Sequence, residues 1–467
     1  MRIASAIMWE RISPVFTRWK PSTEIIERAG ARRGVGKYCK RSGFKRALIV
    51  TDKNIIRCGI LDKVLEGLEE EGIVYDIYDG VTTEVRDSTV AAAAFVGRRV
   101  KADHVIAVGG GSPLDCGKLA ALSLAAPNVP LKILNRRIGG IVFSNLPVIA
   151  IPTTAGSGSE IAMTATITSD TSHVKYLAGG PRLAPRLAVI DIETIMTCPK
   201  RVLAHSGIEA LSHGLEAYLT DFSDSPAKQG ISLTCIKLCM ENLKRVYDDY
   251  SDVEAARNMM IAANWGGRAL NCCAGGYNKA FASALEMTYY IPRGRATAMT
   301  MVANLRFLKS EFLHEMAVLA KITGSGEEGL EDEQNAENFI KSVEKLIMDL
   351  GIPPYCPQIK EADYSKLIDR AFADSMNYPL PRVMNVEEAV EFLNLCSDGL
   401  EVDPADVTVG RRQTSVKVNR GNMDLVALAA LSALTVGMMF SFARSVRRKN
   451  DALRGGEGWR RDGSGRR

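Results

Sequence analysis

The chain has 467 residues, more than one hydrophobic core usually covers, so two domains with terminal extensions are expected. Its 46% hydrophobic and 24% charged residues exclude a disordered chain. The formal charge of +5 is concentrated at one end: residues 444–467 hold nine Lys/Arg against three Asp/Glu, so the body is near neutral and gives no basis for binding nucleic acid.

In chain order, residues 1–24 form an extension whose first twenty residues hold Arg2, Arg11, Arg18 and Lys20 against the single acid Glu10, compatible with an amphipathic presequence or with a disordered or surface-packed extension. From residue 46, short apolar runs alternate with helical stretches: RALIV, a helix with Leu61, Val64 and Leu68, IVYDIYD, an Ala-rich helix, HVIAV, then PVIAIP at 147–152 and LAVID at 187–191. Strands alternating with helices predict a parallel sheet with crossover helices, an α/β domain over 25–199. From 200 to 398 the texture becomes helical, with helices expected at 206–220, 226–247, 252–273, 276–289, 296–308 and 311–322, an all-helical domain interrupted by the acidic stretch 323–336. Residues 399–423 read as a linker. Leu425–Ala443 is nineteen residues without a charge, long enough at ~1.5 Å per residue to cross a bilayer core, so 424–443 is expected to be a transmembrane helix. Arg444, Arg447, Arg448 and Lys449 follow as head-group anchors at the start of the basic tail 444–467. The ten cysteines lack metal or disulfide spacing and read as reduced thiols of an intracellular protein. The expectation is a membrane-anchored chain with its body in the cytosol, or one associated with mitochondria.

Three motifs carry chemistry. HVIAVGGGSPLDCGK (104–118) ends a buried strand in Gly109, Gly110, Gly111 and Ser112 before a helix; glycines let backbone approach a pyrophosphate, and the helix's free amides attract its charge. PTTAGSGSE (152–160) follows another buried strand and offers Thr153, Thr154 and Ser157 to phosphate or ribose oxygens, although Ser157-x-x-Glu160 also spells a helix capping box. In ALIVTD (47–52), Asp52 falls where a carboxylate accepts from ribose hydroxyls and repels a 2′-phosphate, favouring NAD over NADP.

Together with GIEALSHGLEAY (207–218) and ADSMNYPLPR (373–382), these motifs resemble the group III, iron-containing alcohol dehydrogenases over roughly residues 25–398. The resemblance implies a dinucleotide-binding α/β domain, an all-helical domain and an active cleft between them. It matches Gly109, Gly110, Gly111, Ser112, Asp115, Thr153, Thr154, Ser157 and Lys175 to cofactor-contacting positions and Asp52 to the specificity carboxylate. TTEVRD (82–87) departs from the family's Asn-Pro turn.

The metal site departs further. The family holds iron or zinc with an Asp and three His, the first two four residues apart on one helix; here that pair is Glu209 and His213, on one helical face. The region that should supply the other ligands, 275–298, contains no histidine, and none occurs between His213 and His314. Lys279 and Ser283 stand for the family's HxxxH, and Pro292-Arg293-Gly294 for its Pro-His-Gly. Such a set should not hold a catalytic divalent cation. Ser206-x-x-Glu209 also reads as a capping box, which would place His205 outside the helix.

Two functions follow. In the leading one, an NAD(H)-dependent oxidoreductase interconverts a carbonyl and an alcohol without metal, Arg293 and Lys279 polarising the oxygen and His213 relaying the proton. In the alternative, a membrane-tethered pseudoenzyme binds dinucleotide, and Arg293 and Lys279 merely pair with Glu209 or Glu286. A small-molecule carbonyl or alcohol is the expected partner, with no nucleic acid; a homodimer is compatible with the sequence.

Overall fold

The computed structural model describes residues 23–409 apart from 131–139, 141–142, 172–174, 221–224, 274, 377, 379 and 408. The expected transmembrane helix 424–443, the basic tail and most of the N-terminal extension therefore lie outside the described residues. Among the described residues no helix is long and apolar enough to cross a membrane.

The first half alternates strands and helices: β1 (Glu24–Glu27), α1 (Val35–Arg41), β2 (Arg46–Val50), α2 (Lys53–Arg57), α3 (Asp62–Glu70), β3 (Val74–Tyr78), α4 (Asp87–Val100), β4 (His104–Gly109), α5 (Gly111–Ala125), β5 (Val148–Pro152), β6 (Thr164–Thr168), β7 (Lys175–Gly179) and β8 (Leu187–Ile190). Six of these strands form one sheet in the order β1-β8-β5-β4-β2-β3, every pair parallel. Buried on both faces, β4 and β5 are continuous apolar runs, which is why they were legible. Leu48 and Val50 face one apolar layer with Val90 and Leu119; Ala47 and Ile49 face the other with Val64 and Leu68. β6 and β7 form a separate antiparallel pair that the sequence did not announce.

The second half is helical: α6 (Lys200–Tyr218), α7 (Pro226–Asp248), α8 (Val253–Cys273), α9 (Tyr277–Tyr289), α10 (Arg293–Leu308), α11 (Leu313–Thr323), α12 (Asp332–Asp349), α13 (Tyr364–Ser375) and α14 (Val386–Cys396). One expectation fails at its start. α6 begins after Pro199, not at Ser206; Ser206 lies inside the helix, donating to the Leu203 carbonyl (3.1 Å), and His205 is a helical residue. Ser206 is small because Gly156 of the 152–160 loop packs onto it: a Cβ at Gly156 would lie 2.6 Å from the Ser206 Cβ.

α8 fastens the helical half to that loop. Asn271 accepts from the Met163 amide (2.8 Å) and donates to the Ile161 carbonyl (3.1 Å), while Asn264 donates to Glu160 Oε1 (3.1 Å). Gly158, at φ 62°, touches Gly267 backbone to backbone: a Cβ on Gly158 would sit 2.4 Å from the Gly267 Cα. The capping box expected at Ser157 and Glu160 does not form; Ser157 Oγ accepts from the Ser159 amide instead (3.3 Å), and no helix follows.

Candidate active site

The sheet delivers two loops to the carboxyl ends of adjacent strands. After β4, Gly109 takes a φ of 148° and lies against Pro113, and the chain turns into α5 at Gly110–Gly111. After β5, the 152–160 loop runs beside it, tied by the Thr153 amide to the Gly109 carbonyl (3.0 Å). A Cβ on Gly111 would come within 3.0 Å of the Ser157 Cβ, so glycine leaves open the space before the α5 amides that a diphosphate requires. The chain's residues here fit a dinucleotide.

Not every expected cofactor residue faces the cleft. Gly111, Ser112, Asp115, Thr154, Ser157 and Lys175 line it; Gly109 and Gly110 shape the turn behind it, and Thr153 is buried. Ser112 Oγ donates to the Thr83 carbonyl (2.8 Å), so the TTEVRD segment closes one wall without an Asn-Pro turn. Asp115 is largely committed internally: it accepts from Ser159 Oγ (2.5 Å) and the Thr166 amide (2.8 Å) and stands 3.5 Å from the buried Lys118 ammonium. Asp52 lies at the end of β2 and caps α2, Oδ1 accepting from the amides of Asn54 (2.8 Å) and Ile55 (3.2 Å).

Three helices bring the second set of residues to the same cleft. Asn278 Nδ2 donates to Ser212 Oγ on α6 (2.8 Å), and its Oδ1 accepts from Thr300 on α10 (2.6 Å), locking α6, α9 and α10 together. The start of α10 approaches α6 so closely that a Cβ on Gly294 would lie 2.2 Å from the His205 carbonyl oxygen, which accounts for glycine beside Arg293. By this packing Glu209 and His213 from α6, Lys279 from α9 and Arg293 from α10 share one cavity, with Glu216 and Glu286.

The charge pattern differs from simple pairing. Arg293 Nε stands 4.0 Å from Glu209 Oε1. Lys279 Nζ lies 5.7 Å from the centre of the Tyr378 ring, and its amide donates to Glu216 Oε1 (3.0 Å). Glu286 pairs with Lys175 (2.5 Å). Burial, then the charges of Lys279 and Arg293, hold His213 well below the ordinary histidine range. Burial followed by Arg293 lowers Lys279, and burial raises Glu209 and Glu216. His213 is therefore held neutral, with one ring nitrogen a donor and the other an acceptor.

Sequence reasoning missed Glu216 and gave Glu286 only a pairing role. Both carried a signal: Glu216 follows Glu209 by seven residues and Glu286 follows Lys279 by seven, so each shares a helical face with a residue already singled out.

A family model for iron-containing alcohol dehydrogenases matches residues 22–192, and one for the C-terminal part of the same family matches residues 203–396. The chain belongs to the iron-containing alcohol dehydrogenase family. It is thus an alcohol dehydrogenase-like oxidoreductase. A 1,3-propanediol dehydrogenase of Klebsiella pneumoniae is 32% identical over 76% of this chain and 92% of its own length. Alcohol dehydrogenase 4 of Schizosaccharomyces pombe is 34% identical, covering 78% and 84%. The crystal structure of a 1,3-propanediol oxidoreductase superposes with a TM-score of 0.76 at 29% identity, over 80% of this chain and 97% of that one.

The positions that the sequence resemblance matches to the family's metal ligands are Glu209, His213, Lys279 and Arg293. One carboxylate and one imidazole are fewer donors than the three or four protein ligands a catalytic zinc takes, and two cations face them. Among the described residues no group of three His, Cys, Asp or Glu side chains is placed to hold a metal ion. The residues present do not fit the family's iron.

Proposed function

We propose that this protein is an NAD(H)-dependent carbonyl reductase and alcohol dehydrogenase in which Lys279 and Arg293 do the electrostatic work of the family's metal. The observation that carries the reading is the convergence of both cations with Glu209 and His213 in the cleft that the cofactor loops line. Glu209, Lys279 and Arg293 carry one negative and two positive formal charges around a neutral His213, a net of one positive. An aspartate, three neutral histidines and a divalent cation also net one positive. These four positions keep their net formal charge while exchanging a point ion for two fixed side chains.

NADH, held at the Gly110–Ser112 turn and the 152–160 loop, would supply a hydride to the carbonyl carbon. Arg293, always charged, faces the oxygen and stabilises the alkoxide as it develops, the task a Lewis acid otherwise performs. Lys279, acidified by burial and by Arg293, transfers its proton to that oxygen, giving the alcohol and NAD+. This revises the role expected for His213: held neutral, it is suited to hydrogen bonding with the ligand, not to acting as an imidazolium donor.

Support for NAD comes from Asp52 and from an NAD-dependent methanol dehydrogenase of Bacillus methanolicus, 28% identical over 80% of this chain and 97% of its own. An NADPH-dependent butanol dehydrogenase of Clostridium saccharobutylicum at 28% identity means that relatives alone do not choose the cofactor. The body is proposed to lie in the cytosol, tethered by 424–443; deletion of 423–467 should move it from the membrane pellet to the supernatant, and retention in the pellet refutes the tether.

The test is a screen of aldehydes and keto acids for NADH oxidation by metal-free protein. Turnover that survives chelation supports the proposal. NADH binding without turnover across the panel would leave a dinucleotide-binding scaffold instead.

A further inference from the structure

The carboxyl ends of the parallel strands carry the cleft; their amino ends carry a different surface. Residues 28–46 hold eight Lys/Arg and no Asp/Glu, in a body that is otherwise near neutral. The fold gathers part of that charge at the entry to the sheet. Lys40 and Arg41 close α1, Lys45 and Arg46 open β2, Lys101 lies between α4 and β4, and Arg186 precedes β8, all six exposed. Contacts join them into one face: Arg46 Nη1 donates to the Val100 carbonyl (3.3 Å), and Arg186 lies over the Phe44 ring (5.6 Å). The acids on this face are Glu24, Glu71 and Asp103. Glu71 pairs with Lys40 (2.8 Å), while Asp103 accepts from the Lys45 amide (2.9 Å) and holds the His104 ring (2.6 Å). Cations at a helix C-terminus ordinarily complement its free carbonyls, which accounts for Lys40, Arg41 and the Arg46 contact. It does not account for Lys45 or Arg186, which precede strands. Among the described residues no ion pair holds Arg41, Lys45, Lys101 or Arg186.

We infer that this amino-end face docks on an anionic phospholipid surface, leaving the cofactor cleft at the other end of the sheet open to water. Unpaired cations spread over several strand entries suit an array of headgroups that can move to meet them. The N-terminal extension joins the body at the same face: Thr23 Oγ1 donates to the Pro185 carbonyl (2.6 Å) and the Glu24 amide to the Arg186 carbonyl (2.9 Å). The sequence before that point combines Arg2, Arg11, Arg18 and Lys20 with Trp9, Phe16 and Trp19, the basic and aromatic composition of segments that lie in a membrane interface. Val74, 54% exposed, adds apolar surface beside the cations, its amide donating to the Lys45 carbonyl (3.0 Å). A nucleic acid finds less here, because the Phe44 ring is covered by Arg186 and stacked on His104 (4.8 Å) and offers no open platform for a base. The inference goes beyond the reductase reading and needs neither turnover nor the 424–443 tether.

The test uses the full-length protein with vesicles of phosphatidylcholine alone or with about one-quarter phosphatidylserine. Acetylation of surface lysines by an amine-reactive ester is read by mass spectrometry. Lys45 and Lys101 should react about fivefold or more slowly on the phosphatidylserine vesicles, the scale of one cation held at an anionic surface. Exposed Lys53, just beyond the carboxyl end of β2, should react equally on both, and about 1 M salt should abolish the protection. In Lys45→Glu/Lys101→Glu, which removes side chains without ion pairs, Tm should be unchanged and the preference for phosphatidylserine vesicles in flotation should fall about 25-fold, at about fivefold per cation. Equal acetylation of Lys45 and Lys101 on the two vesicles, or an unchanged preference in the variant, overturns the inference. Protection by a polyuridylate oligonucleotide at a lower phosphate concentration than the lipid also overturns it and makes the face a nucleic-acid surface. The variant lacking 423–467 should keep the protection of Lys45 and Lys101; its loss would assign membrane binding to the tail alone and refute the face. The wild-type acetylation comparison stands even if a variant fails to fold.

Discussion

Replacing Arg293 by Ala removes the one cation in the cleft that cannot lose its charge. At ~4 Å and an effective dielectric of about 20, a unit charge pair attracts by about 4 kcal/mol. Removing a donor that stabilises an oxyanion costs about 100- to 1,000-fold in kcat. Glu209 stands 4.0 Å from Arg293 and already offsets part of its field, so the lower end, about 100-fold, is expected. The loss should fall on kcat, because the charge on the oxygen grows toward the transition state. Single-turnover NADH oxidation followed at 340 nm measures it, and added guanidinium, which fits the vacated space, should restore part of the rate. A kcat within fivefold of wild type, with no response to guanidinium, refutes the assignment of Arg293.

Asp52→Ala should cost about 1 kcal/mol of stability through the lost α2 cap and bring kcat/KM with NADPH closer to that with NADH; an unchanged cofactor ratio would leave Asp52 a cap alone. Gly158→Ala meets both a positive φ and the Gly267 backbone, so it should lower Tm by the equivalent of about 1–3 kcal/mol and weaken NADH binding, with a neutral outcome arguing against the loop's anchoring on α8. Burial, then Arg201 and Arg295, lowers His205 from 6.5 to about 4. Because the folded state resists protonation there, its contribution is complete above pH 6.5 and is lost as pH falls from 6.5 toward 4; allowing for partial exposure, about 2 kcal/mol is at stake. Urea denaturation at pH 7 and pH 5 should show this loss in wild type and a shallower one in His205→Gln.

The buried strands were readable because parallel strands covered on both faces must be apolar throughout, as HVIAV and PVIAIP are. The pair β6 and β7 was not, since TATIT and KYLAG are short, partly polar and not buried on both faces. Edge strand β1 has charged residues at both ends, and its partner β8 lies some 160 residues away in sequence, so no local pattern announces it. Ser206 misled for another reason: a serine three residues before a glutamate spells a cap, yet here its small side chain admits the loop at Gly156. The loss of histidines between 213 and 314 needed no structure. That Lys279 and Arg293 meet in one cavity did, because only the packing of α6, α9 and α10 brings them together.

The most direct test of metal replacement is elemental analysis of the purified full-length protein together with its activity. The account predicts no stoichiometric iron or zinc, and NADH-dependent carbonyl reduction unaffected by a strong chelator. One iron or zinc per chain, with activity abolished by chelation and restored by that metal, would contradict it.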